Sequence, residues 1–337
     1  MDSQGKSGTD SRWRFCVAPM MDWTDRHCRY FHRQLTARAR LYTEMVTTGA
    51  LLQGDPRRHL AFEAEEQPVA LQIGGSEPDE LARAARLGER WGYDEINLNC
   101  GCPSERVRRG AFGACLMTEP RLVVDGVKAM LDVVDIPVTV KHRVGVDQQE
   151  DYGFVRDFVG ALAEAGCRVF IVHARSAWLK GLSPKENRQV PPLRYEVVRR
   201  LKADFPALVF VLNGGLSSLD AVQDELAHVD GVMLGRAAYH DPWLLADVDR
   251  RFFAEEGPVA SREEVVERMA AYLRRETARG TAPRHIVRHM LGLYHGVRGA
   301  RQWRRELSDA TELERDAAEV LTRVAQWVAP PTALRAA

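Results

Sequence analysis

The chain has 337 residues, 45% of them hydrophobic and 28% charged, with 47 basic and 47 acidic side chains and no net charge. That length suits about two domains, or one large barrel with an appendage. The composition excludes a coiled coil, a collagen-like repeat and a mostly disordered chain. No apolar run nears the ~20 residues of a membrane-spanning helix, and six scattered cysteines do not form the disulfide framework of a small secreted domain. These features read as a cytoplasmic protein with reduced thiols and no membrane association.

Residues 1–12 are polar and lack the apolar core of a signal peptide, so they read as a flexible start. From residue 13 to about 245 a unit recurs: a short β-rich apolar run, then a helical pattern. The runs are FCVA (15–18), LYTEM (41–45), VALQI (69–73), EINLN (95–99), PVTVK (137–141), VFIVH (169–173), VFVLN (209–213) and GVMLG (231–235). Nearly continuous apolar strands alternating with helices imply a parallel sheet covered on both faces. Helical spacing is clear over 80–92 and 121–134, where the apolar residues share one stripe. Eight such units match an α/β fold of the (β/α)8 TIM-barrel type. No GxGxxG follows a strand, which disfavours a doubly wound sheet.

From about Pro258 the texture changes to Arg-rich helical stretches over 263–280, 283–308 and 312–328, with Gly280 as a helix-stop signal. The expected layout is a barrel domain over 13–250, a linker near Glu255–Ser261, a small all-helical domain over 258–328 and a flexible tail over 329–337. Between Arg268 and Arg305 ten arginines face one acid, Glu276, so this stretch of 38 residues carries +9. A solvated helix surface would interleave glutamates. The imbalance points instead to a polyanionic partner.

The strand runs end in polar or special residues: Pro19, Met20 and Met21, then Glu44, Gln72, Asn99 with Cys102, Lys141, His173, Asn213 with Gly214 and Gly215, and Gly235 with Arg236. In a barrel all of these face one catalytic mouth. Singly each has a structural reading; eight in phase do not. The glycines after the seventh and eighth runs let backbone N–H groups approach an anion, and loops at those positions often hold phosphate. Arg236 adds a charge there. Lys141 has two uses, as a Schiff-base amine or as a cation beside an electron-rich cofactor ring, and Arg143 two residues on suits either. Cys102 is a thiol that is mostly protonated at neutral pH and so can donate a proton. Cys115 is its rival, farther from the strand end. Cys100 and Cys102 form C-x-C without a histidine at ligand spacing, so no metal site is expected.

Together these residues resemble the tRNA-dihydrouridine synthase family from about Val17 to Arg305. The motifs are APMMDWTDRHCRYF (18–31), LYTEMVTTGA (41–50), ALQIGG (70–75), YDEINLNCGCPS (93–104), FGACLM (112–117), VTVKHRVG (138–145), HARSAWLKGLSPKENR (173–188), NGG (213–215) and GRA (235–237). LSPKENR and FGACLM look like the A-type subfamily, which acts on uridines 20 and 20a of the D-loop. The cysteine at position 100 departs from the pattern and adds a second thiol next to Cys102 in sequence. The resemblance implies FMN-dependent reduction of the uridine C5–C6 double bond, with NADPH restoring the flavin. By motif, Pro19, Met20, Met21, Gln72, Lys141, His173, Asn213, Gly214, Gly215, Gly235 and Arg236 would bind FMN, and Cys102 would be the proton donor. Asn99, Lys185, Arg188, Arg301 and Arg304 would contact tRNA, with one copy of the chain acting alone.

Three other readings of the residues stand beside this one. A flavin barrel acting on a free pyrimidine shares the barrel and phosphate site, but leaves the +9 segment unexplained. A Schiff-base aldolase would use Lys141. A catalytically silent RNA-binding barrel would have no use for Cys102, Lys141 and His173 together.

Overall fold

The α/β barrel expected from the alternating runs is present in the computed structural model, which describes residues 11–105, 107, 110–255 and 260–328. The strands are β1 (Phe15–Val17), β2 (Arg40–Tyr42), β3 (Val46–Thr47), β4 (Val69–Gly74), β5 (Glu95–Cys100), β6 (Val138–Arg143), β7 (Val169–His173), β8 (Val209–Asn213) and β9 (Gly231–Leu234). All pair in parallel. β1 joins β9 through Cys16 opposite Met233, and β2 joins β4 through Leu41 opposite Val69, which closes eight strands into a ring. Among the described residues the short β3 pairs with β4 alone, through Val46 and Thr47.

The second run stops earlier than its sequence suggests. Strand pairing ends at Tyr42, where Thr43 turns its hydroxyl to accept the Gln72 N–H at 3.0 Å in place of a ladder carbonyl. Glu44 then bonds the Asp22 N–H of the preceding loop at 2.5 Å.

Every strand is buried because helices cover the outer face while side chains fill the inner one. Cys16, Tyr42, Ala70, Val169, Ile171, Val211 and Met233 pack together as an apolar cluster inside. Outside, helices Pro78–Arg90, Pro120–Leu131, Tyr152–Glu164 and Tyr195–Asp204 bring their apolar stripes to the sheet. Gly88 marks a close approach: a Cβ there would lie 2.6 Å from Ile96 and 2.7 Å from Leu71.

The described residues pack as two compact units, one made of 11–24 with Ala39–Gly235, the other of Asp25–Arg38 with those described from Arg236 to Val328. The second unit is helical. Helix Arg26–Arg33 begins at Asp25, whose carboxylate caps His27 and Cys28 and also receives Arg288 at 2.6 Å and His289 at 3.0 Å. Burial disfavours that charge, yet the bonds from His289, the Cys28 N–H and Arg288 hold the Asp25 carboxyl well below its usual range. Helix Arg262–Ala278 starts at a Ser261–Glu264 capping box and ends before Gly280, whose φ is +91°.

The stretch 283–308 differs from the helix its periodicity suggests. It is helical over Arg284–Val287 and again over Ala300–Glu306, with tight turns between. Gly296 and Gly299 take φ of +72° and +92°, a left-handed backbone that no helix continues through. The last helix, Ala310–Val328, kinks at Asp316. Of the flexible start expected over 1–12, residues 1–10 lie outside the described residues, while Ser11–Trp13 form a 3-10 turn on which Trp13 is buried. The expected tail over 329–337 and residues 256–259 of the expected linker near Glu255–Ser261 lie outside them too.

Candidate active site

Pleating decides which residues reach the barrel interior. Glu95, Asn97 and Asn99 alternate with Ile96, Leu98 and Cys100 on β5, so the polar set shares the inner face and the apolar set the outer one. Cys100 is fully buried and burial raises its thiol pKa, opposite in direction to a reactive thiolate. The second thiol of C-x-C therefore sits on the other face from Asn99, packed as a small apolar residue.

Asn99 organises the mouth. Its Oδ1 accepts the N–H groups of Gly101 and Cys102, each at 3.0 Å, and its Nδ2 donates to Gln72 Oε1 at 2.9 Å. The loop carrying Cys102 is thereby pinned to the strand end. The Cys102 carbonyl in turn receives Ala114 N–H at 2.9 Å, bringing the FGACL loop alongside. Gly113 has φ +77°, and a Cβ on it would meet Val107 at 2.4 Å and the Cys102 carbonyl at 2.6 Å. Cys102 and Cys115 are both partly exposed. They differ in anchoring, since Cys115 Sγ turns back on the Phe112 carbonyl at 3.1 Å while the Cys102 thiol lies 3.5 Å from the Ser104 hydroxyl.

Lys141 stands opposite Asn99 in the β5–β6 register and donates from Nζ to Asn213 Oδ1 at 2.9 Å. Burial and the neighbouring Arg143 cation push its pKa down to about 7, against the opposing pull of Cys102. His173 lies opposite Asn213 in the β7–β8 register. Burial, with Arg143 and Lys141 nearby, holds its pKa well below the usual value, so the imidazole is neutral. Its Nδ1 is buried, with no hydrogen-bond partner among the described residues. Gly214 and Gly215 follow with φ of +111° and +74°. A Cβ at Gly215 would lie 2.4 Å from Leu193 and 2.8 Å from the Tyr195 hydroxyl, which donates to the Gly214 carbonyl at 2.6 Å.

Pro19 and Met20 are half-buried beside this rim and Met21 is exposed. Met20 packs on the interior cluster and reaches Gly235, where a Cβ would sit 3.5 Å from its sulfur. Gly235 is the last residue of the barrel unit, and Arg236 opens the short helix Arg236–His240 of the other.

Lys185 and Arg188 lie exposed on the short turn after β7. Between them, Asn187 is fully buried and exchanges hydrogen bonds with the Trp178 backbone at 2.8 and 2.9 Å. Its carbonyl receives Arg143, whose guanidinium also binds the carbonyls of Gly101 and Ser176. Arg143, at the end of β6, thus ties the loops after β5 and β7 together. Sequence reading noted Arg143 without that role and passed over Asn187 and Asn97. The period of two from Asn99 was a signal for Asn97; nothing local distinguished Asn187.

In the helical unit the +9 segment is not one solvated face. Arg275 and Arg279 close on Glu276, which is fully buried and also receives Arg26 at 2.6 Å, while Arg288 binds Asp25. Buried carboxylates need such partners. Arg301 and Arg304 remain exposed, one turn apart on helix Ala300–Glu306, opposite the buried Trp303. Among the described residues no helix is long and apolar enough to cross a membrane.

Comparison with known proteins supplies the chemistry's name. The family model described as dihydrouridine synthase (Dus) matches residues 16–328. A tRNA-dihydrouridine(20/20a) synthase of Pseudomonas aeruginosa is 59% identical over 295 residues, covering 88% of this chain and 89% of that protein. The Escherichia coli protein of the same description is 57% identical over 304 residues, covering 89% and 88%. Among solved structures, a 2-naphthoyl-CoA reductase complex shares the fold at TM-score 0.56 and 13% identity, over 70% of this chain and 50% of that one. The chain belongs to the dihydrouridine synthase family.

Proposed function

We propose that this chain reduces uridines 20 and 20a of the tRNA D-loop to dihydrouridine, with FMN as its flavin and NADPH as reductant. The observation that carries the reading is the Asn99 amide holding the Cys102 loop at the strand end, with Lys141 in register opposite. The positions named in the descriptions of its relatives support the choice of substrate.

The mouth fits a phosphorylated flavin. His173 Nδ1, without a hydrogen-bond partner among the described residues, awaits a polar group, Lys141 offers a cation, and Gly214 and Gly215 turn the backbone at the strand end through positive φ. Pro19, Met20, Met21, Gln72, Lys141, His173, Asn213, Gly214, Gly215, Gly235 and Arg236 would hold it. When bound, reduced FMN supplies a hydride for uracil C6, and NADPH regenerates it.

The protein's own part is the proton. Hydride arrival at C6 leaves negative charge across C5 and the C4 carbonyl, and the Cys102 thiol gives its proton to C5. Asn99, through its remaining N–H, bonds the uracil edge. The base must leave its stack to reach the mouth, at a cost of a few kcal/mol that is least in a loop. Lys185, Arg188, Arg301 and Arg304 would orient the RNA, with the helical region from 258 to 328 serving as the tRNA-binding domain. One copy of the chain would act alone, in the cytoplasm.

The deciding experiment is mass mapping of an unmodified tRNA transcript after incubation with the protein, FMN and NADPH. Two added hydrogens at positions 20 or 20a are expected. The same gain elsewhere in the tRNA overturns the site assignment, and reduction of free pyrimidine alone overturns the tRNA reading.

A further inference from the structure

The polar side chains of the mouth continue downward through the barrel interior as a single line of hydrogen bonds. Gln72 Nε2 donates to Asn97 Oδ1 at 2.7 Å, Asn97 Nδ2 donates to the Thr139 hydroxyl at 2.8 Å, and Thr139 donates to Glu95 Oε1 at 2.5 Å. Glu95 also receives Tyr42 at 2.8 Å and Trp13 Nε1 at 2.7 Å, and it faces Arg40 at 3.4 Å. Asn97, Thr139 and Glu95 are fully buried.

Both ends of this line have fixed polarity. A carboxylate paired with a guanidinium only accepts hydrogen bonds, and the backbone N–H groups of Gly101 and Cys102 only donate. Thr139 has one proton, which goes to Glu95, so its oxygen must accept from Asn97. The Asn97 carbonyl then faces Gln72, the Gln72 carbonyl faces Asn99, and the Asn99 carbonyl faces the Cys102 loop. Turning over any one amide sets donor against donor or acceptor against acceptor. The direction of every amide in the line therefore follows from its two ends.

We propose that Glu95, Thr139 and Asn97 are positioning residues, a relay from the barrel floor that orients the Gln72 and Asn99 amides and thereby holds the Cys102 loop. Each mouth amide has its carbonyl occupied within the relay and one N–H left over. With Lys141, these make the mouth a surface of donors. Given the proposed reaction, on which this last point rests, the Asn99 donor meets negative charge that develops on the uracil, while Gln72 and Lys141 face the flavin.

Thr139 gives the cleanest test, because Thr139→Val keeps the shape and cuts the relay while Thr139→Ser restores the hydroxyl. The first readout is the rate at which iodoacetamide alkylates Cys102 in cofactor-free protein, located by peptide mass. Cys16 and Cys28, both fully buried, report on the folded state by staying slow. Loss of one net hydrogen bond from the loop predicts about a fivefold faster Cys102 reaction in Thr139→Val, and a wild-type rate in Thr139→Ser. The second readout is single-turnover tRNA reduction, expected to lose rate with KM for tRNA unchanged. A wild-type Cys102 alkylation rate in Thr139→Val, whatever happens to its melting temperature, overturns the relay. If wild-type protein makes no dihydrouridine while the alkylation pattern holds, the functional reading falls and the relay stands.

Discussion

At the scale of single residues, the mouth separates two thiols that exposure alone would not. The Cys102 loop is held by two backbone hydrogen bonds to Asn99, one from Gly101 and one from Cys102 itself, and Cys115 is turned toward its own loop. Cys102→Ala is expected to bind FMN and tRNA normally while single-turnover reduction slows by about 10²–10⁴-fold, the usual worth of a general acid. Cys115→Ala should stay within a few-fold of wild type in the same assay. Lys141 gives a prediction in pH. Its pKa is pushed down to about 7 in the folded protein, so the unfolded chain binds more protons than the folded one between there and the usual lysine range. Its contribution to stability accordingly rises with pH across that window. An anionic ligand reverses the preference and favours the protonated amine. FMN affinity, titrated by fluorescence, should fall by up to about tenfold per pH unit above about 7, and Lys141→Met should flatten that dependence.

At the scale of elements, two loops carry geometry that only glycine supplies. Gly113 combines a left-handed φ with a close approach to Val107 and the Cys102 carbonyl. Gly113→Ala should cost about 1–3 kcal/mol in chemical denaturation. By moving the Cys102 loop, it should also lower the reduction rate by about 10²-fold with FMN affinity preserved. In the helical unit, the Ser261–Glu264 capping box starts helix Arg262–Ala278. Ser261→Ala should destabilise that unit by about 1 kcal/mol, seen as a lower melting temperature with the flavin site unaffected. The break within 283–308 belongs to this scale too. Helical periodicity there was real in composition, but Gly296 and Gly299 adopt positive φ and stop the hydrogen-bond ladder.

At the scale of the whole molecule, a neutral chain carries a strongly basic segment, and folding spends part of it internally. Arg275 and Arg279 neutralise the buried Glu276 and Arg288 the half-buried Asp25, while Arg301 and Arg304 stay exposed. Replacing both Arg301 and Arg304 by alanine should weaken tRNA binding and reduce the slope of log affinity against log salt by about 1.5. An unchanged slope would remove them from the RNA contact set.

The eight barrel strands were legible because a parallel strand buried on both faces must be apolar along its length, whatever its neighbours are. Part of the rim was legible for the same geometric reason: Gln72 with Asn99, and Lys141 with Asn213, all expected at strand ends, meet once the ring closes. What the sequence by itself determined is therefore the period-two and strand-end information, which each segment carries locally. Tertiary structure alone decided which polar side chains meet. The fate of Glu95 depends on Trp13, Arg40, Tyr42 and Thr139, far apart along the chain, and that of Glu276 on Arg26. It also decided that helix Arg26–Arg33 packs with segments more than two hundred residues later, through Asp25 with Arg288 and His27 with Tyr272. A buried charge or donor is stable only with its partner in place, and that partner is a property of the closed fold rather than of any stretch of sequence.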